Sequence, residues 1–330
     1  MLLITKYNRT KAITKKTNIH YSNFSYLKLM TIKLNEIERQ DEKIFLITGA
    51  NSGLGYETSK FLLEKGATVI MGCRDMVKGE KAKNELLKFN VPGKIELLHL
   101  DLSDLREVKN FVKLIKNKFN SLDVLINNAG IMAPPKTLSK QGFEIQFGVN
   151  HLAHMFLTLE LLPMLKEKNN SRIVTVTSGV QYFGKIQWND LQGNHKYDRW
   201  ASYAQSKLAN VMFGLELNSR LKEKNSKTSS LLAHPGFART NLQPKSVEAN
   251  KSWQEKLAYK LMDPIFQSAK MGALPQIAAA TLPKAMGGEQ YGPRFNFRGY
   301  PKICRNSKKA LDTNSRKKLW KISEKLMQSF

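Results

Sequence analysis

Apolar and polar positions along this chain fall into two alternating rhythms from Lys43 onward. Short unbroken apolar runs are followed by longer stretches in which apolar residues return every three or four positions. Ile44–Thr48 reads as a β-strand and Tyr56–Lys65 as a helix with Phe61 and Leu62 on its inner face. Thr68–Gly72 predicts a second strand, and a charged helix from about Met76 to Phe89 ends before Pro92–Gly93. Ile95–Leu100 is the third strand. Leu105–Phe119 then places Val108, Phe111, Val112 and Ile115 at helical spacing, and Leu122–Ile126 is the fourth strand. A long helix carrying Leu152, Met155, Phe156, Leu159 and Leu162 precedes a fifth strand at Arg172–Thr177. A helix over Ala201–Leu221 and a sixth strand at Ser229–Ala233 complete the series. Strand and helix at this cadence predict an α/β fold, a doubly wound parallel sheet with helices on both faces. No linker or internal repeat interrupts it, so a single domain is expected.

The stretch Lys43–Gly55, KIFLITGANSGLG, is where the first strand empties into Gly49, Gly53 and Gly55 before a helix. Side chains at Gly49 and Gly53 would keep a pyrophosphate off the backbone N–H groups, and one at Gly55 would hold the helix away from the sheet. The helix start offers unpaired N–H donors and the positive end of a dipole. The spacing is Gly-x-x-x-Gly-x-Gly, which alone is equally a plain turn. A nucleotide site that prefers NAD places a carboxylate at the end of the second strand. Here Cys73 and Arg74 stand there. A guanidinium suits a 2′-phosphate, so NADP(H) is expected over NAD(H); a surface pairing of Arg74 with Asp75 is the competing reading. Asp101, just past the third strand, is placed to meet an adenine amine or to serve as a loop acid, with Ser103 or Asp104 able to cap the next helix.

Composition bounds the rest. The 330 residues and 42% hydrophobic content suffice for a full core. Two cysteines, Cys73 and Cys304, form no disulfide framework or metal spacing and suggest a reducing compartment. The net charge of +26 comes without a nucleic-acid motif and reads as a lysine-rich solvated surface. No nucleic-acid partner and no metal are expected. No apolar run is long enough to span a bilayer, which leaves peripheral membrane contact open. Met1–Leu29 is basic, has no acidic residue and lacks an apolar core of the secretory type. It is read, within a basic N-terminal extension over residues 1–42, as disordered or as preceding a true start at Met30, and second as a transit peptide. Cytoplasmic location follows from the first reading and organellar import from the second.

The set TGANSGLG, Asp101, NNAG at Asn127–Gly130, Asn150, Ser178, Tyr203-Ala-Gln-Ser-Lys207 and His234-Pro-Gly236 resembles the short-chain dehydrogenase/reductases. CRDMVKGE, NHLAH, LQG and YAQSKLAN look like their retinol-dehydrogenase-like branch, and AHPGFARTNLQ and GGEQYGP like bacterial-type oxidoreductases within it. The resemblance covers about Lys43 to Tyr300. It implies a Rossmann fold, hydride exchange between NADP(H) and a carbonyl or alcohol, and a tetrad of Asn150, Ser178, Tyr203 and Lys207. It places Gly49, Asn51, Ser52, Gly53, Leu54, Gly55, Arg74, Asp101, Leu102, Asn128, Ala129, Gly130, Tyr203, Lys207, Pro235, Gly236 and Thr240 on the cofactor. In that family Asn150 holds a water linking Lys207 to solvent. Residues from Asn241 to about Ala280 take the place of a substrate loop, with Trp253, Leu257, Leu261 and Ile265 at helical steps, and about 308–328 reads as a docked terminal helix.

Elementary chemistry agrees with the tetrad. Tyr203 and Lys207, four apart on a helix, share a face. A phenol titrating near 10 is a poor base at neutral pH, and a nearby ammonium is expected to lower it. Ser178, after a strand end, can hold a carbonyl oxygen. His151 and His154 are read as packing or capping residues. The favoured function is an NADP-dependent carbonyl or alcohol oxidoreductase for a small molecule, with apolar, retinal-like compounds among the candidates and homo-oligomerisation open. The alternatives are a protochlorophyllide reductase-like enzyme, against which Asn127 stands where that group has cysteine, and a non-catalytic nucleotide-binding protein, against which the intact Tyr203/Lys207 pair stands.

Overall fold

Within each central strand, successive side chains leave the sheet on opposite faces, and both faces are buried. In β1 (Ile44–Thr48), Leu46 joins one core while Phe45 and Ile47 join the other. The split continues through β2 (Thr68–Cys73), β4 (Val124–Asn127) and β5 (Arg172–Val176). Ile70, Leu125 and Ile173 lie on the side of Leu46, and Val69, Val124 and Val174 on the opposite side. The computed structural model describes residues 37–166, 168–239 and 266–328. The leader at Met1–Leu29 and the apolar steps at Trp253, Leu257, Leu261 and Ile265 lie outside the described residues.

With β3 (Lys94–His99), β6 (Ser229–Ala233), β7 (Gln290–Pro293) and β8 (Pro301–Cys304), the sheet has eight strands ordered β3-β2-β1-β4-β5-β6-β7-β8. Neighbours pair in parallel except β7 with β8. The longer helices are α1 (Gly53–Glu64), α2 (Met76–Leu87), α3 (Leu105–Lys118), α4 (Ala153–Lys166), α5 (Arg199–Glu223), α6 (Ala269–Thr281) and α7 (Thr313–Met327), the terminal helix expected over about 308–328 being split into a short turn at Lys308–Leu311 and α7. The core on the Leu46 side is closed by α3, α4, α5 and α7, and the other by α1, α2 and α6. Strand order reverses between β1 and β4, so a crevice opens at their carboxyl ends. No described helix is long and apolar enough to cross a membrane.

The expected strands and helices are present with ends shifted by a few residues at most, and the differences have local causes. Leu122 is buried but gives its N–H to Met164 of α4, so β4 begins only at Val124. The long helix expected before β5 starts irregularly. Gly148–Leu152 is a π-helical turn, with Ala153 N–H reaching back five residues to Gly148, and α4 follows it. Two elements were not anticipated. Helix α6 falls inside the stretch read as a loop, because Gly272–Thr281 is buried all round and shows no amphipathic stripe. The β7–β8 hairpin is short and ends in paired prolines, Pro293 opposite Pro301, where an edge tolerates the missing donors.

Helix α7 docks on α5 through Trp320, whose ring stacks on Phe213 at 5.7 Å between centroids and under the Arg220 guanidinium at 4.2 Å. Buried Glu216 completes the contact, pairing with Arg220 at 2.9 Å and Arg316 at 3.7 Å. Trp320→Ala should therefore destabilise the protein by about 3–5 kcal/mol, read as a lowered urea midpoint; a loss under about 1 kcal/mol would show that α7 is peripheral to the fold.

Candidate functional site

The crevice at the β1/β4 switch holds a cavity of about 420 Å³. Its wall includes Gly49, Asn51, Ser52, Gly53, Leu54, Arg74, Asp101, Leu102, Asn128, Ala129 and Gly130, eleven of the residues expected to meet a cofactor. The glycines act as their conformations require. Gly49 (φ +67°) lies so close to the next loop that a Cβ would sit 3.0 Å from Ala129 Cα. A Cβ at Gly55 would collide with the Gly49 carbonyl, so this glycine sets the approach of α1 to the sheet rather than lining the cavity. The start of α1 differs from the other helix starts. Asp75, Asp104, Asp198, Ser268 and Asp312 cap α2, α3, α5, α6 and α7 with side-chain oxygens. Ser52 at the head of α1 makes no such bond, and its helix N–H donors face the cavity unclaimed by a side chain. That donor set fits a pyrophosphate.

At the far wall, Arg74 is exposed and makes no ion pair among the described residues. Its supposed partner Asp75 instead caps α2 and pairs with Lys78 at 2.6 Å, so the surface-pair reading of Arg74 fails. Lys78 also lines the cavity, a second cation that no motif singled out. Asp101 lines it as well, with Oδ1 accepting from Ser103 N–H at 2.9 Å and Ser103 Oγ at 2.8 Å, while Asp104 is the cap of α3.

The four tetrad residues converge beyond Gly130. A Cβ on Gly130 would lie 3.1 Å from Asn150 Oδ1 and 3.3 Å from Lys207 Nζ. Tyr203 and Lys207 are buried on α5, with Nζ 5.8 Å from the phenol ring centroid and 3.5 Å from the Val176 carbonyl oxygen. Ser178 follows β5 and is the hydrogen-bonding group acting on the Tyr203 phenol. Asn150 sits in the π-turn. Its Oδ1 accepts from Ile131 N–H at 2.8 Å, and Nδ2 donates to Ile131 O at 2.9 Å and Ser206 Oγ at 3.0 Å. The expectation that Lys207 lowers the tyrosine needs correcting. Burial pushes Tyr203 up to about 12, with Ser178 opposing, and burial pulls Lys207 down to about 8. The phenol is thus held protonated, as a proton donor rather than a base.

The remaining expected residues are placed elsewhere. Pro235 and Gly236 do not line the cavity. Their turn is held from two sides, by Gln267 just before α6, whose Nε2 donates to Pro235 O at 2.7 Å, and by the β7–β8 hairpin, where Phe297 O accepts from Phe237 N–H at 2.7 Å. Thr240 lies outside the described residues. Asn127 is buried, with Nδ2 donating to Thr158 Oγ1 at 2.8 Å, a structural position. No group of three or more potential metal ligands occurs among the described residues. Two residues beside the tetrad escaped sequence reading. Asn210, one turn past Lys207, donates to the Val176 carbonyl at 3.2 Å. Thr48 accepts at Oγ1 from Asn128 N–H at 3.0 Å and Ala129 N–H at 2.9 Å. The helical i, i+3 step from Lys207 was a signal for Asn210; a strand-end threonine carried none.

A family model described as short chain dehydrogenase matches residues 43–251. Retinol dehydrogenase 14 of Mus musculus is 39% identical over 298 residues, covering 86% of this chain and 85% of that protein. A crystal structure of an uncharacterized protein from Mycobacterium Paratuberculosis superposes with a TM-score of 0.74 at 38% identity, over 90% of this chain and 97% of that one. L-Sorbose reductase from Gluconobacter frateurii, solved with NADPH and L-sorbose, shares the fold at a TM-score of 0.62 and 18% identity, over 78% of this chain and 96% of that one.

Three histidines are buried and pulled far below their ordinary range, chiefly by burial: His151 to about 3, His154 to about 4 and His234 to about 4. Between those values and about 6.5 the unfolded chain binds protons that the folded protein excludes. Stability should therefore fall as pH drops below about 6.5, by up to about 1.4 kcal/mol per pH unit for each histidine. Urea midpoints at pH 7 and pH 5 test this; equal midpoints would show that the histidines are not held neutral.

Proposed function

The chain belongs to the short-chain dehydrogenases, in their retinol-dehydrogenase-like branch, oxidoreductases of alcohol and carbonyl groups, and from that premise we propose that it exchanges hydride between NADP(H) and an apolar carbonyl or alcohol. The observation that carries this reading is the buried Tyr203–Lys207 pair, with Ser178 on the phenol, packed behind Gly130 of a cavity shaped by the glycine turn; the tetrad side chains themselves do not line that cavity. The uncapped start of α1 would hold the pyrophosphate, Arg74 and Lys78 the 2′-phosphate, and Asp101 the adenine side. The bound cofactor supplies the hydride. Tyr203 gives its phenolic proton to the carbonyl oxygen, which Ser178 holds as charge develops on it. Lys207 keeps positive charge beside the phenol and positions the cofactor ribose, and Asn150 links Lys207 to solvent through a water. An apolar substrate is supported by exposed Trp200, whose ring lies edge-on to Tyr203 at 6.5 Å. The curated relatives named as retinol dehydrogenases make all-trans-retinal the first substrate to try.

Proton transfer of this kind is worth about 10² to 10⁴ in rate. Tyr203→Phe should lose at least about 100-fold in turnover and keep NADPH affinity, Lys207→Ala should lose both, and Ser178→Ala mainly turnover. Undiminished turnover of retinal by Tyr203→Phe would overturn the assignment. For the cofactor, Arg74→Ala should weaken NADPH by about 1.5–3 kcal/mol and leave NADH unchanged. Titration of both nucleotides by fluorescence tests it, and equal affinities in the parent protein would reject the NADP preference.

A further inference from the structure

His154 lies one turn past Asn150 and bridges two parts of the site. Its Nε2 is 2.9 Å from Thr48 Oγ1 and its Nδ1 is 3.1 Å from the main-chain oxygen of Asn150. Counting lone pairs fixes the proton. A hydroxyl oxygen accepts at most two hydrogen bonds. Thr48 Oγ1 already accepts two, from the N–H groups of Asn128 and Ala129 in the cavity wall. The Thr48 hydrogen is therefore left for His154 Nε2, which must be an acceptor. The ring proton then sits on Nδ1 and is donated to the Asn150 carbonyl. Complete burial and the charge of Lys207 both oppose a second proton, so the ring stays neutral.

This matters because of where the Asn150 carbonyl is. Both amide hydrogens of the Asn150 side chain are spent, on Ile131 O and Ser206 Oγ, and Oδ1 accepts from Ile131 N–H, so the side chain has no donor left for a relay. The main-chain oxygen of Asn150 belongs to a π-turn, where the regular helical bonding is displaced by one residue, and it takes the His154 ring N–H. A carbonyl in such a turn takes its direction from the partners it finds there, and the His154 ring is one of them. Resting on the functional reading above, we propose that His154 is a positioning residue whose Nδ1–H, set by Thr48, fixes the Asn150 main-chain carbonyl for the proton path to Lys207. Through Thr48 the same strut joins that carbonyl to the Asn128–Ala129 wall of the cofactor cavity.

Three substitutions separate the two ends of the strut. Asparagine places an amide donor near the position of Nδ1 and cannot reach Thr48. Glutamine reaches Thr48 and lacks the donor at Nδ1, and leucine lacks both. With all-trans-retinal and NADPH, His154→Asn should turn over within about threefold of the parent, and His154→Gln and His154→Leu should fall about tenfold or more. NADPH affinity should stay within about twofold in all three. Parent-like turnover in His154→Gln, or an equal fall in His154→Asn, would overturn the role, as would losses that track NADPH affinity. A readout independent of turnover comes from nitrogen NMR of the cofactor-free protein with labelled imidazoles, the His154 signal being the one missing from His154→Asn. The proton should reside on Nδ1 at pH 7, and a proton on Nε2 sinks the proposal whatever the turnover of the variants. A parent protein that reduces no carbonyl sinks the functional reading and this role with it, whereas the wrong tautomer sinks this role alone.

Discussion

A lysine ammonium buried without a carboxylate partner is the constraint around which the site is arranged. Lys207 is 4% exposed and forms no ion pair among the described residues. Its fall to about 8 corresponds to a burial cost on the order of 3 kcal/mol. What surrounds Nζ is dipolar: the Val176 carbonyl, the face of the Tyr203 ring and the Asn150 amide beyond Gly130. A carboxylate would settle the charge more firmly and would also quench it. Leaving it partly unsatisfied keeps its field available to an anionic ligand and to charge developing nearby.

The tyrosine beside it is displaced in the other direction, and the two shifts share one cause. Low-dielectric surroundings favour the neutral form of each group, a protonated phenol and a deprotonated amine. An anionic ligand beside Nζ would favour the charged lysine, whose field in turn favours the phenolate. The site is thus poised by desolvation and tuned by what enters, with Ser178 already acting on the phenol.

Support for this arrangement comes from far along the chain. The α5 helix that carries Tyr203 and Lys207 is packed from outside by α7 through Trp320, and α7 also reaches the π-turn, where Ser323 Oγ lies 2.9 Å from His151 Nε2. On the other face α6 braces the glycine turn. Gln276 Nε2 donates to Thr58 Oγ1 at 2.6 Å and Asn128 Oδ1 at 3.2 Å, and Gly272 admits Leu54 and Ala238 where a side chain would collide. Chain segments more than 100 residues downstream therefore hold the geometry of the first βαβ unit and of the π-turn.

Local pattern carried a good deal of this protein. Six of the seven parallel strands were legible because strands buried on both faces are unbroken apolar runs, as in Ile44–Thr48, and the helices between them because most bury one stripe. The glycine turn and the Tyr203/Lys207 spacing were legible because their chemistry depends on residue type at short range. Where burial is uniform the periodicity vanishes, which hid α6; the proline-bounded β7–β8 hairpin left no strand signal either. Only the tertiary structure could decide that Asp75 belongs to Lys78 and leaves Arg74 free, that burial raises Tyr203 against the expected pull of Lys207, and that His154 joins Thr48 to Asn150. Each of these depends on which atoms meet across the fold and how much water is left between them, and neither is a property of any one stretch of sequence.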